Sequence, residues 1–150
     1  MNEDFDLSRF MLLVKNCSSF FDGFLNKIAD GMDISAPEAR TLLLLNDNPE
    51  LDSAFKIVNS GPPVSKSYVS KAVSGLASKK LITLTKDEND KRIQHIKLTE
   101  AAEPIIKQLS EARDRLICFL VEEVTEEEKD LLTSIMKKVE EKAKKLKSLT

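Results

Sequence analysis

The tightest constraint on this chain is the position of its only convincing β-structure. Two short β-rich runs, Ile82 to Lys86 and Ile93 to Leu98, flank the polar stretch Asp87-Glu88-Asn89-Asp90-Lys91-Arg92, which suits a hairpin tip. The rest of the sequence reads as helix, and the segment just before the hairpin has one apolar and one basic face. With 150 residues the chain has room for one domain. It is expected to be mainly α with a small two- or three-stranded β-wing.

Apolar residues recur at helical steps on both sides of the hairpin. In the first segment Phe10, Val14, Cys17, Phe21, Phe24 and Ile28 mark one face, while Met11, Leu13, Phe20 and Leu25 lie off it. A helix that buries more than one side in so small a protein predicts a partner subunit. Ser35-Ala36-Pro37-Glu38 reads as a capping box opening a second helix through Ala39, Leu42, Leu43 and Leu45, and Asn46-Asp47-Asn48-Pro49 ends it. Asp52 is placed to cap a short third helix carrying Phe55, Ile57 and Val58, which Asn59-Ser60-Gly61-Pro62-Pro63 breaks. A fourth helix follows from Ser65. Beyond the hairpin, Thr99 opens a fifth through Ile105, Leu109, Ala112, Leu116 and Leu120, with Pro104 disturbing its start. Thr125-Glu126-Glu127-Glu128 is a second capping box, leading a sixth helix through Leu132, Ile135, Val139, Ala143 and Leu146.

The net charge of −2 conceals a segregation: residues 1–52 carry −6, residues 53–98 carry +6 and residues 99–150 carry −2. A basic middle between acidic ends orients a molecule on a polyanion, although charge alone reads equally well as a cluster of solvated lysines. The fourth helix separates the two readings. Val69, Ala72, Val73 and Leu76 share one side of it, and Lys66, Ser67, Ser70, Lys71, Ser74 and Ser78 the other. No acidic residue occurs between Val64 and Leu81, whereas an ordinary surface helix mixes glutamates among its lysines. Short hydrogen-bonding side chains keep this face slim enough for a major groove about 12 Å wide. Helix, break, basic helix and polar-tipped hairpin is the order of a winged helix-turn-helix.

Within that order, Leu81-Ile82, Asp90-Lys91-Arg92 and Leu98-Thr99-Glu100 match, without gaps, the wing signature of the multiple-antibiotic-resistance regulator (MarR) family, which the chain resembles over nearly its whole length. The resemblance implies a homodimer joined through helical regions 1–34 and 101–150, around a DNA-binding lobe at 35–100. It also implies recognition helices in successive major grooves of a palindromic operator and wings in the adjacent minor grooves. The implied activity is transcriptional repression released by a small-molecule or redox signal. By position, Arg92 is the wing-tip arginine for the minor groove, Asp90 the carboxylate that braces the wing, and Lys91 a phosphate contact; an ordinary Asp–Arg pair stabilising a turn is the alternative. On the matching recognition helix Ser65, Lys66, Ser67, Tyr68, Ser70, Lys71 and Ser74 divide between phosphate and base-edge contacts. A crevice for a small aromatic effector would draw on Met11, Phe20, Phe21 and Phe24, for which core and dimer packing is the simpler reading. The chain departs from the family pattern at Lys80 and Ala102, where glycine is usual, at Leu84, where arginine is common, and in the longer Asn59–Pro63 connection.

Cys17 and Cys118 lack metal-ligand spacing, so neither a zinc site, a disulfide framework nor any cofactor is expected. Cys17 lies on the apolar stripe and reads as a buried, inert thiol; in the oxidant-sensing branch of the family the reactive position falls on Met11. His95, the only histidine, reads as an exposed strand residue within reach of phosphate. There is no phosphate-binding glycine loop and no Cys–His or Ser–His arrangement, so catalysis is not expected. The rival to DNA binding is a winged helix used for protein–protein interaction. An acidic start, Met1-Asn2-Glu3-Asp4-Phe5-Asp6, and short apolar runs predict a cytoplasmic protein without membrane spans.

Overall fold

A computed structural model describes residues 6–60 and 65–147, in the order α1 (Leu7–Asp30), α2 (Ala36–Asp47), α3 (Ala54–Ser60), α4 (Lys66–Ser78), β1 (Ile82–Lys86), β2 (Gln94–Leu98), α5 (Glu103–Leu120) and α6 (Glu126–Lys147). The expected break at Gly61-Pro62-Pro63, the segment Met1–Phe5 and the Leu146 side chain lie outside the described residues. The chain divides into two compact units, residues 1–112 and 113–150.

In the first unit the helices form where local chemistry directs them. Asp6 caps α1 by accepting from the Arg9 N–H at 3.1 Å. Ser35 and Glu38 make the expected capping box of α2: the Ser35 N–H donates to the Glu38 carboxylate at 2.6 Å, and the Glu38 N–H donates to the Ser35 hydroxyl at 3.3 Å. At α3 the sequence expectation needs correcting. Ser53, not Asp52, supplies the cap, accepting from the Lys56 N–H at 3.4 Å, and the Asp52 carboxylate is engaged elsewhere. Ser65 caps α4 through the Tyr68 N–H at 3.1 Å.

The core of this unit gathers Leu25 and Ala29 from α1, Ala39, Leu42, Leu43 and Leu45 from α2, Ile57 from α3, and Val69, Val73 and Leu76 from α4. Leu81, Ile82 and Ile96 of the hairpin, Ile106 and Leu109 of α5, and Ile34 and Ala102 from the connections complete it. Full burial of each such leucine or isoleucine contributes about 1.5–3 kcal/mol. Burial in α1 follows position along the helix: Leu25, off the expected stripe, is 1% exposed and Phe21 and Ile28 on it pack against the core, whereas Phe10 and Val14, also on it, are 46% and 48% exposed. Only the C-terminal half of α1 has a core to face, so Cys17, expected to be buried, is exposed, as is Cys118.

The hairpin is antiparallel, with Ile82 opposite Leu98 and Thr85 opposite His95. A 3-10 turn over Glu100–Ala102 precedes α5, and Pro104 sits in the first turn of that helix, where a missing N–H costs no helical bond. The helix therefore starts at Glu103 despite the proline. Thr99 makes no side-chain cap; its hydroxyl donates instead to the Lys80 carbonyl at 2.7 Å. Lys80 itself has φ of 60°, the left-handed region, as the chain turns from α4 into β1. The glycine that the MarR resemblance leads one to expect there would enter that conformation without the Cβ clash. Lys80→Gly is accordingly expected to stabilise the fold by about 0.5–1 kcal/mol, read as a raised midpoint in urea unfolding.

In the second unit Thr125 and Glu128 make the other expected capping box, with the Thr125 N–H to Glu128 carboxylate bond at 2.9 Å. On α6 the side chains of Leu131, Leu132, Ile135, Met136 and Val139 are exposed, as are Ile117, Phe119 and Leu120 on α5. Among the described residues no helix is long and apolar enough to cross a membrane.

Candidate nucleic-acid interface

Helix α4 carries the first half of the interface. Val69, Ala72, Val73 and Leu76 are buried on its inner face. Ser65, Lys66, Ser67, Ser70, Lys71 and Ser74 are all exposed, while Tyr68 is half-buried and packs against the core. The inward side of α4 holds a contact that the sequence reading overlooked. Gly75 passes so close to Glu38 of α2 that a Cβ there would collide with the carboxylate. That carboxylate is 5% exposed as a residue and takes the Lys79 ammonium at 2.8 Å. Burial pushes the Glu38 pKa up, but the bonds from Lys79 and from Ser35 outweigh it and hold the group below its ordinary value. The capping residue of α2 thus also locks α4 in place. Its trace in the sequence was a glycine inside an otherwise regular helix, which signals close approach.

The hairpin tip carries the second half. Asp87 Oδ1 accepts from the N–H groups of Asn89 and Asp90, both at 2.8 Å, and so folds the tip. Asp90 then grips Arg92 three ways, accepting from its N–H, its Nε and its second terminal nitrogen, each at 3.0 Å. These bonds hold the Asp90 carboxyl below its usual range. The Arg92 side chain nonetheless stays 90% exposed, so its cation is positioned but still accessible. Lys91 is exposed beside it.

His95 is not the exposed strand residue expected. It is partly buried, with Nδ1 2.9 Å from Asp52 and Nε2 2.9 Å from Asp87. Two carboxylate partners 43 and 8 residues away in sequence could not be foreseen from strand periodicity.

The four residues proposed for an effector crevice are not brought together as a cavity lining. Met11 and Phe20 are 58% and 56% exposed, while Phe21 and Phe24 are half-buried, with Phe21 packed on the core. A pocket of about 480 Å³ opens elsewhere in the first unit, lined by Asn46, Leu98, Thr99, Glu100, Glu103, Ile106 and Lys107. Among the described residues no cluster of histidine, cysteine, aspartate or glutamate could hold a metal ion.

A capped short helix, a basic helix locked against α2 and a hairpin presenting an arginine define a winged helix-turn-helix protein. No protein-family model matches the chain. Solved structures do. A crystal structure of MarR is 16% identical and covers 100% of this chain and 99% of its own, with a TM-score of 0.77. A MarR family transcriptional regulator from Listeria monocytogenes, complexed with 26mer DNA, is 19% identical, with coverage of 92% and 89% and a TM-score of 0.75. S. aureus MepR in its DNA-binding conformation is 22% identical, with coverage of 94% and 98% and a TM-score of 0.73. The fold is therefore that of the MarR regulators, across the full span that the wing signature suggested.

Proposed function

We propose that this chain is a cytoplasmic, homodimeric transcriptional regulator that binds duplex DNA and has no catalytic activity. In this reading residues 35–100 are the DNA-binding lobe and residues 1–34 and 101–150 the dimerisation region. The observation that carries it is the outward face of α4. Lys66, Ser67, Ser70, Lys71 and Ser74 are exposed together with no acidic side chain between Ser65 and Leu81, and the hairpin that follows presents Arg92. Lysines on such a face neutralise phosphates, the serines reach base edges, and an arginine on the wing suits the negative potential of a narrow minor groove. Neighbours of the same fold crystallised with DNA support this use of it.

The dimer reading is supported by apolar side chains that one copy leaves in solvent: Phe10, Leu13 and Val14 in α1, and Leu132, Ile135 and Val139 in α6. Exposed apolar side chains repeated at helical steps along one face mark association surfaces. Two copies related by a two-fold axis would read a palindromic operator. Repression, and release by a small-molecule or redox signal, belong to the same proposal.

The test is titration of a labelled random-sequence duplex at several salt concentrations, with light scattering on the same sample. Binding by a dimer, with affinity falling steeply and linearly on a log–log salt plot, is expected because phosphate neutralisation releases counterions. A stable monomer, or affinity indifferent to salt, would refute the reading.

A further inference from the structure

We propose that His95 is a positioning residue for the wing: as an imidazolium shared between Asp52 and Asp87 it fixes the Arg92-bearing tip to the entry of α3, so that duplex affinity falls as the ring loses its proton. The proposal rests on the DNA-binding reading above and adds to it a residue and a sign of pH dependence.

The geometry makes the argument. Both ring nitrogens lie 2.9 Å from carboxylate oxygens, Nδ1 from Asp52 Oδ2 and Nε2 from Asp87 Oδ2. Ionised carboxylates only accept, and a neutral imidazole has a single N–H to donate. Only the doubly protonated ring satisfies both carboxylates. Once neutral, it keeps one bond and turns a lone pair toward the other.

The surrounding charges favour the cation. Asp52, in the segment before α3, faces the ring, and its other oxygen takes Lys56 Nζ of α3 at 2.7 Å. From the tip comes Asp87, while Asp90 beyond it is occupied by Arg92. Thr85, the cross-strand neighbour, carries no charge, and Lys97, two residues along β2, is exposed. Lys56 and Arg92 are each held by a carboxylate, Lys97 stands in solvent, and the two acids facing the ring dominate. The His95 pKa is raised from its ordinary 6.5, by Asp87 first and Asp52 second, against a smaller opposing effect of burial. Reciprocally, His95 and the N–H groups of Asp90 and Asn89 hold Asp87 at about 2.

The consequence is local to the tip. The Ile96 N–H donates to the Asp52 carbonyl at 2.7 Å, a main-chain tie that is indifferent to pH and keeps the hairpin base on the α3 entry. The ring's Nε2 holds Asp87, the residue that folds the tip through Asn89 and Asp90 and so presents Arg92. Because the folded pKa is raised, the clamp is complete below 6.5 and opens as pH rises through the folded value. On the acid side it persists until pH falls below the ordinary carboxylate value of 3.8 toward the depressed value of Asp87.

As the only histidine, His95 can be followed unambiguously by NMR of its ring in the full chain. The midpoint is expected above 6.5, with both nitrogens protonated below it, and Asp87→Asn should lower it. In parallel, affinity for a labelled random-sequence duplex is measured from about pH 6 to about pH 8 for the wild-type chain and for His95→Gln. The wild type should lose affinity by on the order of threefold to tenfold more than the variant over that range. A ring midpoint at or below 6.5, or superimposable pH profiles, overturns the proposal. If neither chain binds duplex at any pH, while the backbone signals of Asn89 and Arg92 still move with the His95 midpoint, the clamp stands and the DNA-binding reading is what fails.

Discussion

Replacing Lys66 and Lys71 together by alanine is expected to weaken duplex binding by about 100-fold or more while leaving the fold intact. Both side chains are exposed on the outward face of α4, so truncation takes nothing from the core. No carboxylate between Ser65 and Leu81 offsets their charge, so each stands toward a polyanion at nearly full strength. In the proposed two-fold dimer the loss doubles to four cations. At roughly 1 kcal/mol for each lysine–phosphate pair removed, the deficit corresponds to two to three orders of magnitude in affinity. The salt dependence separates this cause from a folding defect. The log–log slope should become shallower by about one unit for each phosphate no longer neutralised, so by about two to four for the double variant. An unchanged slope with weakened binding would mean that these lysines do not meet phosphates.

How much of this was legible in the sequence depends on the range of the interaction concerned. Capping boxes at Ser35 and Thr125 involve residues three apart and appear as read, as does the division of α4 into an inner face of Val69, Ala72, Val73 and Leu76 and an outer basic one. The hairpin was visible for the same reason, since period-two runs and a polar tip are local signals. What escaped depends on distant partners. His95 is held by Asp52 from 43 residues away, and Lys79 by Glu38 from 41. Both stripes of α1 are apolar along its length, so its sequence does not say which part of the helix meets the core. Only the tertiary packing selects Leu25 and Ala29 and leaves Phe10 and Val14 outside. Asp52 looked like a cap because aspartate is a good one, yet its neighbour Ser53 takes that role and frees the Asp52 carboxylate for Lys56 and His95.

Gly75→Ala is expected to lower stability by about 2–3 kcal/mol although alanine is the better helix former. In water-exposed helix the exchange would gain up to about 1 kcal/mol, so the expected sign is reversed by one close approach. The new Cβ would collide with the Glu38 carboxylate, which cannot simply withdraw. It is buried, it closes the α2 capping box through the Ser35 N–H at 2.6 Å, and it holds Lys79 at 2.8 Å. Moving it strands a charge with fewer partners; leaving it forces α4 away from α2 and tilts the face that carries Lys66 and Lys71. A double-mutant cycle in urea identifies the cause. Glu38→Ala alone should cost about 2 kcal/mol through removal of the cap and the ion pair. In that background the glycine-to-alanine change should become neutral or stabilising, a coupling of about 2 kcal/mol or more. Equal costs in the two backgrounds would show that α4 is held against α2 by something other than this carboxylate.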